Sequence, residues 1–170
     1  MATVQVLDTG VIYRNPKPHV KAEHAYFPSV AVMTNGELLA TMSLGQAFES
    51  PDSHTCVARS KDLGKTWSLE GRIYPGTKDR LTSDYCRITS MVDGEVVAFM
   101  ARSDRTDHPD EGLANAANLG FCPTELLVLR SKDFGRTWTG PTNMNPPLVG
   151  PAFEMCCPII PLSPMCSFPC

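Results

Sequence analysis

A chain of 170 residues, 42% hydrophobic and 19% charged, has the length and balance of one globular domain rather than of a disordered or fibrous segment. Its formal net charge is −3, and its Lys and Arg residues are scattered without a basic stripe, which argues against nucleic acid as a partner. No apolar run approaches the roughly 18 residues of a membrane helix, and the start, MATVQVLDTGVIYRN, lacks a basic segment ahead of an apolar signal core. The expectation is no membrane association and a cytoplasmic location, with secretion left open.

In chain order, residues 27–33 form a short run of strand-favouring residues that leads into Asn35-Gly36, a pair suited to tight hairpins because such a turn needs positive φ at both central positions. Second and third strands are expected over 38–44 and 55–59, separated by a polar loop over 45–54. The turn SKDLGKTW (60–67) then leads into a fourth strand.

This whole unit recurs. NGELLATM (35–42) is echoed by DGEVVAFM (93–100), 58 residues on from Gly36 to Gly94, and SKDFGRTW (131–138) repeats the closing turn. Strands are expected over 86–92, 96–102 and 125–130, with a long polar loop over 103–123. Four antiparallel strands per repeat, with no helical period, is the pattern of a β-propeller blade, with a β-sandwich as the alternative. A third copy opens at FEMCCPIIPL (153–162), where Pro158 corresponds to Pro28, but no Gly turn follows before SPMCSFPC ends the chain.

The fold expected is therefore all-β, with about two and a half four-stranded blades: 24–74, 83–144 and the start of a third over 152–163. Since propellers close with about four to eight blades, the chain reads as an N-terminal fragment, cut short or altered in frame near Ser163. Open blade edges would invite self-association.

Each Ser-x-Asp-x-Gly-x-Thr-Trp turn has a structural logic. Asp accepts backbone N–H bonds, Gly supplies positive φ, the hydroxyls satisfy turn amides and Trp buries apolar area. Two near-identical copies argue that Asp62 and Asp133 are structural rather than catalytic. Because strands alternate direction, the Gly hairpins and these turns lie at one end of each blade. The long loops over 45–54 and 103–123, and the connections over 73–85 and 145–153, lie at the other, where function is expected.

These turns are Asp boxes (BNR repeats), and with the Gly hairpins they resemble the sialidase (neuraminidase) superfamily from Tyr26 to about Leu162. The resemblance implies a six-bladed propeller and a sialidase-like exo-glycosidase acting on terminal sialic acid or a related sugar, inactive as a fragment. A non-catalytic glycan-binding or scaffolding propeller is the alternative. Family members carry Arg-Ile-Pro in the first blade, its Arg clamping the sugar carboxylate; here Tyr26-Phe27-Pro28 stands there, and Tyr26 cannot form that bidentate pair. The family's acid/base Asp falls in the first blade's loop, at Asp52 with Glu49 as an alternative, and would need a raised pKa to protonate a leaving oxygen. The family's Tyr nucleophile and its Glu have no counterpart here.

Substrate-binding candidates are Tyr26, Asp84, Arg87, Arg102 and Glu154. Asp84 and Arg87 at the start of an innermost strand, and Glu154 in the third copy, are expected to point to the central axis, as sugar ligands or as an ion pair between blades. Arg102, Asp104 and Arg105 enter the long loop together, either facing ligand or solvated. His24, His54 and His108 read as solvated. The acidic stretch 104–110 lacks the spacing and Gly of a calcium loop, and none of the seven cysteines has metal-ligand spacing, so no metal or cofactor is expected and the thiols read mostly as buried. A glycan or small sugar is the partner expected.

Overall fold

The computed structural model describes residues 3–115, 120–145 and 157–161. Its regular structure is all β. β1 (His24–Val32), β2 (Leu38–Gly45), β3 (His54–Ser60) and β4 (Ser68–Arg72) pair antiparallel in chain order as one four-stranded sheet. The second sheet starts with β5 (Thr82–Ser90) and β6 (Val96–Asp104). After a two-stranded insert of β7 (Ala114–Asn115) and β8 (Gly120–Phe121), it continues with β9 (Thr124–Ser131) and β10 (Thr139–Asn143). β5 packs across β1, β2 and β3, so two up-and-down meanders lie face to face as neighbouring blades of an open propeller.

The packing follows from strand β2, which is buried on both faces. Side chains alternate along a strand, so Leu39 faces the second sheet, where it joins Val57, Ile88, Val96, Met100 and Leu129. Ala40, Met42 and Leu44 point the other way, pack with Cys56 and Ala58, and are covered by Ile12, Tyr13 and Trp67. Each fully buried Leu of this kind stabilises the fold by about 1.5–3 kcal/mol. Toward the loop end the inter-sheet contacts become polar. The Thr41 hydroxyl donates to the Cys86 carbonyl at 3.5 Å, and the Ser43 hydroxyl donates to the Asp84 carbonyl at 2.9 Å.

The two Ser-x-Asp-x-Gly-x-Thr-Trp turns share one set of Asp and Ser bonds. Asp62 Oδ1 accepts the Thr66 amide at 2.9 Å, Oδ2 accepts the Thr66 hydroxyl at 2.6 Å, and Ser60 Oγ accepts the Gly64 amide at 2.8 Å. In the second copy Asp133 takes the Thr137 amide at 2.8 Å and hydroxyl at 2.5 Å, and Ser131 the Gly135 amide at 2.8 Å. Positive φ falls on two residues of each turn, Leu63 and Gly64, then Phe134 and Gly135. The Phe134 amide donates to the Gly94 carbonyl at 3.0 Å, which places a Gly hairpin and this turn at the same end of the sheet.

The two Gly hairpins differ from each other. Asp93 and Gly94 both have positive φ, as a two-residue turn requires, but in the first hairpin only Gly36 does. There the Gly36 amide donates to the Met33 carbonyl at 2.9 Å, so the loop has one more residue than expected, and Asn35 instead uses its side chain to accept the Glu37 amide at 3.1 Å.

Strand limits also differ from the expectation, because Thr82, Ser83 and Asp84 are polar yet pair with Asp104, Ser103 and Arg102, which starts β5 earlier than its apolar residues. Of the third copy, residues 153–156 and 162, including Glu154, lie outside the described residues. Cys157–Pro161 form no strand, and the Ile159 carbonyl accepts the Thr89 hydroxyl at 2.5 Å.

Candidate functional site

The end of the sheets opposite the Asp-containing turns gathers the start of β1, the loop over 46–53, the start of β5 and the end of β6. Tyr26 and Phe27 come from β1, where a bulge shifts the register with β2 between Tyr26 and Ser29. Phe27 itself has φ 51°, a left-handed value that a bulky side chain avoids. The second sheet holds it there. The Ile88 amide donates to Ser29 Oγ at 3.1 Å, and Arg87 Nη1 donates to the Pro28 carbonyl at 2.9 Å. The Phe27 ring stacks on Tyr85 with centroids 4.7 Å apart and 28° between planes.

Phe48, from the 46–53 loop, closes this group, 5.1 Å from the Phe27 ring and 5.3 Å, edge to face, from Tyr26. It is 52% exposed although large and apolar. His24 lies beside Tyr26, 6.1 Å between ring centroids. A narrow crevice of about 10 Å³ between the sheets is lined by Phe27, Phe48, Glu49, Ser53, Asp84 and Tyr85.

Asp52 sits exposed in the same loop and accepts the Gln46 amide at 3.2 Å. Partial burial raises its pKa, but the hydrogen bonds from Ser50 and Gln46 outweigh that and hold it below the usual carboxylate range. Glu49 reaches across to the other sheet's loop, where Oε2 accepts the Leu113 amide at 3.0 Å.

Asp84 does not face the open axis. Residues 84 and 87 are an odd number apart, so they leave β5 on opposite faces, and Asp84 turns inward at 5% exposure. Its Oδ1 accepts the Thr55 amide at 2.7 Å and its Oδ2 accepts the Tyr74 hydroxyl at 3.4 Å. Burial pushes its pKa up, against the pull of the Thr55 hydroxyl and amide.

Arg102 is neither solvated nor open to ligand. At 8% exposure it donates from Nε to Glu125 Oε2 at 2.8 Å and lies over the Tyr74 ring at 5.9 Å. Arg80 joins the same network, to Asp104 at 3.0 Å and to Glu125 at 3.1 Å. Burial alone would raise Glu125, but the two guanidinium groups bring its pKa below the usual range.

Arg105 departs furthest from expectation. It is fully buried, and no carboxylate among the described residues accepts from it; its guanidinium donates to the carbonyls of Glu49 at 3.0 Å, His108 at 3.3 Å and Glu111, and to Ser83 Oγ at 3.4 Å. It ties the loop after β6 to the loop of the first sheet. His108 pairs with Glu111 at 3.1 Å, and no group of three or more His, Cys, Asp or Glu among the described residues is placed to hold a metal ion.

A larger hollow lies beside the N-terminal segment, bordered by Tyr13, His19, Glu23 and His24. Tyr13 bonds Glu23 there, and burial together with that bond pushes the Tyr13 hydroxyl up to about 12.

The structure thus brings Tyr26, Glu49, Asp52 and the buried Asp84 to one end and withdraws Arg87 and Arg102 into structural bonds. Sequence reasoning missed Phe27, Phe48 and Tyr85. A large aromatic at position 48 in an otherwise polar loop was the signal available.

No protein-family model matches this chain, and no curated protein matches it. Among solved structures, a protein of unknown function from Dyadobacter fermentans DSM 18053 superposes with a TM-score of 0.53 at 27% identity, over 78% of this chain and 38% of that one. The Hadza microbial sialidase Hz136 superposes with a TM-score of 0.47 at 20% identity, over 70% of this chain and 25% of that one. The chain therefore spans well under half the length of either structure.

Proposed function

We propose that this chain forms two blades of a six-bladed, sialidase-like Asp-box propeller, and that its loop end binds a glycan without cleaving it. The observation that carries this reading is the hydrogen bonding of Asp52, whose Oδ1 accepts the Gln46 amide at 3.2 Å. A general acid must hold a proton near the working pH, and Asp52 is held below the usual carboxylate range by the hydrogen bonds from Ser50 and Gln46. Asp84 has the raised pKa an acid needs, but its burial against Thr55 keeps it from a leaving oxygen. Exposed aromatic surface and an ionised carboxylate at one end suit a sugar, whose hydroxyls donate to the carboxylate and whose C–H faces lie on the rings.

A second reading, an exo-glycosidase with Asp52 as acid/base, is favoured by the exposure of Asp52 in the loop beside Phe48. A glycan array probed with the labelled full chain, run beside a panel of fluorogenic sialosides and neutral glycosides, separates the two. Binding without turnover is expected. Turnover that Asp52→Asn abolishes would replace the binding reading with the catalytic one.

A further inference from the structure

We infer that Tyr26, Phe27 and Phe48, backed by Tyr85, form a stacking platform selective for neutral pyranose rings over acidic sugars. This rests on the glycan-binding reading above and narrows it to a substrate class.

Phe27 carries the argument. A bulky residue disfavours φ 51°, and such outliers persist only where the surroundings impose them. Here the surroundings come from the other sheet: the Ile88 amide on Ser29, the Arg87 guanidinium on Pro28 and the Tyr85 ring on Phe27. With this ring fixed from below, the exposed Phe48 packs against it from the loop side, while Tyr26 meets Phe48 edge to face. Core packing alone does not account for a 52%-exposed phenylalanine held by two ring contacts at a loop tip. The exposed part of this cluster is Phe48, whose ring can present the negative side of its quadrupole to the weakly positive C–H groups along one face of a pyranose.

Charge decides the class of sugar. Of the guanidinium groups along this end of β5 and β6, Arg102 and Arg80 are paired with Glu125 and Arg105 is buried among carbonyls, while Arg87 keeps its charge and donates to the Pro28 carbonyl. Beside Phe48 stand two carboxylates, Glu49 and Asp52, and hydrogen bonding keeps Asp52 ionised. An acidic sugar would bring a like charge to that rim, whereas a neutral sugar offers hydroxyl donors to it.

Saturation-transfer NMR on the full chain tests this with methyl β-glucopyranoside and methyl β-galactopyranoside as neutral probes and the methyl glycoside of N-acetylneuraminic acid as the acidic one. The neutral probes are expected to bind at least about tenfold more tightly. Phe48→Ala should weaken them about three- to tenfold, the range of one aromatic contact, while still melting cooperatively as a folded protein, and Phe48→Tyr should restore binding. Equal or tighter binding of the acidic probe, or unchanged neutral affinity in Phe48→Ala, overturns the platform while leaving glycan binding intact. Binding of neither class overturns the glycan reading itself.

Discussion

Asp84 Oδ1 accepts the Thr55 amide at 2.7 Å, and that bond crosses from the second sheet to the first near the loop end. The carboxyl is buried, and burial raises its pKa against the pull of the amide. A raised folded-state pKa means that its contribution is fully present below the unfolded value of about 3.9 and is lost as pH rises through the folded value. Asp84→Asn keeps an oxygen for Thr55 and removes the charge. Thermal melts should show it as stable as the parent or more so at pH 7, with the gap closing toward pH 4. Asp84→Ala strands the amide and should lose about 1–3 kcal/mol at both pH values.

The Asp-containing turns titrate in the opposite sense. The Thr66 hydroxyl and amide bonds bring Asp62 down to about 2; Asp133 reaches about 2 as well, where slight burial opposes its bonds from Thr137 and Ser131. Depressed values stabilise the fold above the unfolded pKa and cease to do so as pH falls through the folded one. The acid limb of a melting-temperature profile should therefore drop between about pH 4 and pH 2, and the double variant Asp62→Asn, Asp133→Asn should flatten it.

Gly64 and Gly135 occupy equivalent places in the two turns, with φ of 88° and 78°, yet their surroundings differ. A Cβ on Gly135 would lie 2.4 Å from Leu39 Cδ2, a core atom, whereas one on Gly64 would meet Leu38 at 3.5 Å. Gly64→Ala should lose about 1–2 kcal/mol from the backbone alone. Gly135→Ala should lose a further 1–3 kcal/mol or so from overpacking, and urea denaturation of the two variants measures the difference.

Arg105 is a buried cation satisfied by carbonyls of two loops. Arg105→Lys keeps the charge but cannot span Glu49, His108 and Glu111 at once, so it should behave nearly as poorly as Arg105→Met. Both should lose about 2–3 kcal/mol and show faster amide exchange at Glu111 and Leu113.

The fold was legible because its cues are local. Gly36, Gly94, Gly64 and Gly135 all take positive φ at the turns where their motifs placed them, and the apolar runs between them pair as strands. The site was less legible because its side chains are fixed by partners from the other sheet. Nothing near Arg102 in sequence announces Glu125, and nothing near Asp84 announces Thr55. Arg105 was expected either to face ligand or to be solvated, since a lone arginine after a strand end carries no sign of the carbonyls that enclose it. Tyr26-Phe27-Pro28 stood out in sequence only for the arginine it lacks, while the bulge and stacked ring it forms depend on β5.

The central claim, that the loop end rather than the turn end binds sugar, is tested most directly by amide chemical-shift mapping of the labelled full chain titrated with a bound glycan. Shifts clustered at Tyr26, Phe27, Phe48, Asp52 and Tyr85, with the 60–67 and 131–138 turns silent and no sugar released, are the result predicted. Shifts centred on those turns, or release of free sugar, would contradict it.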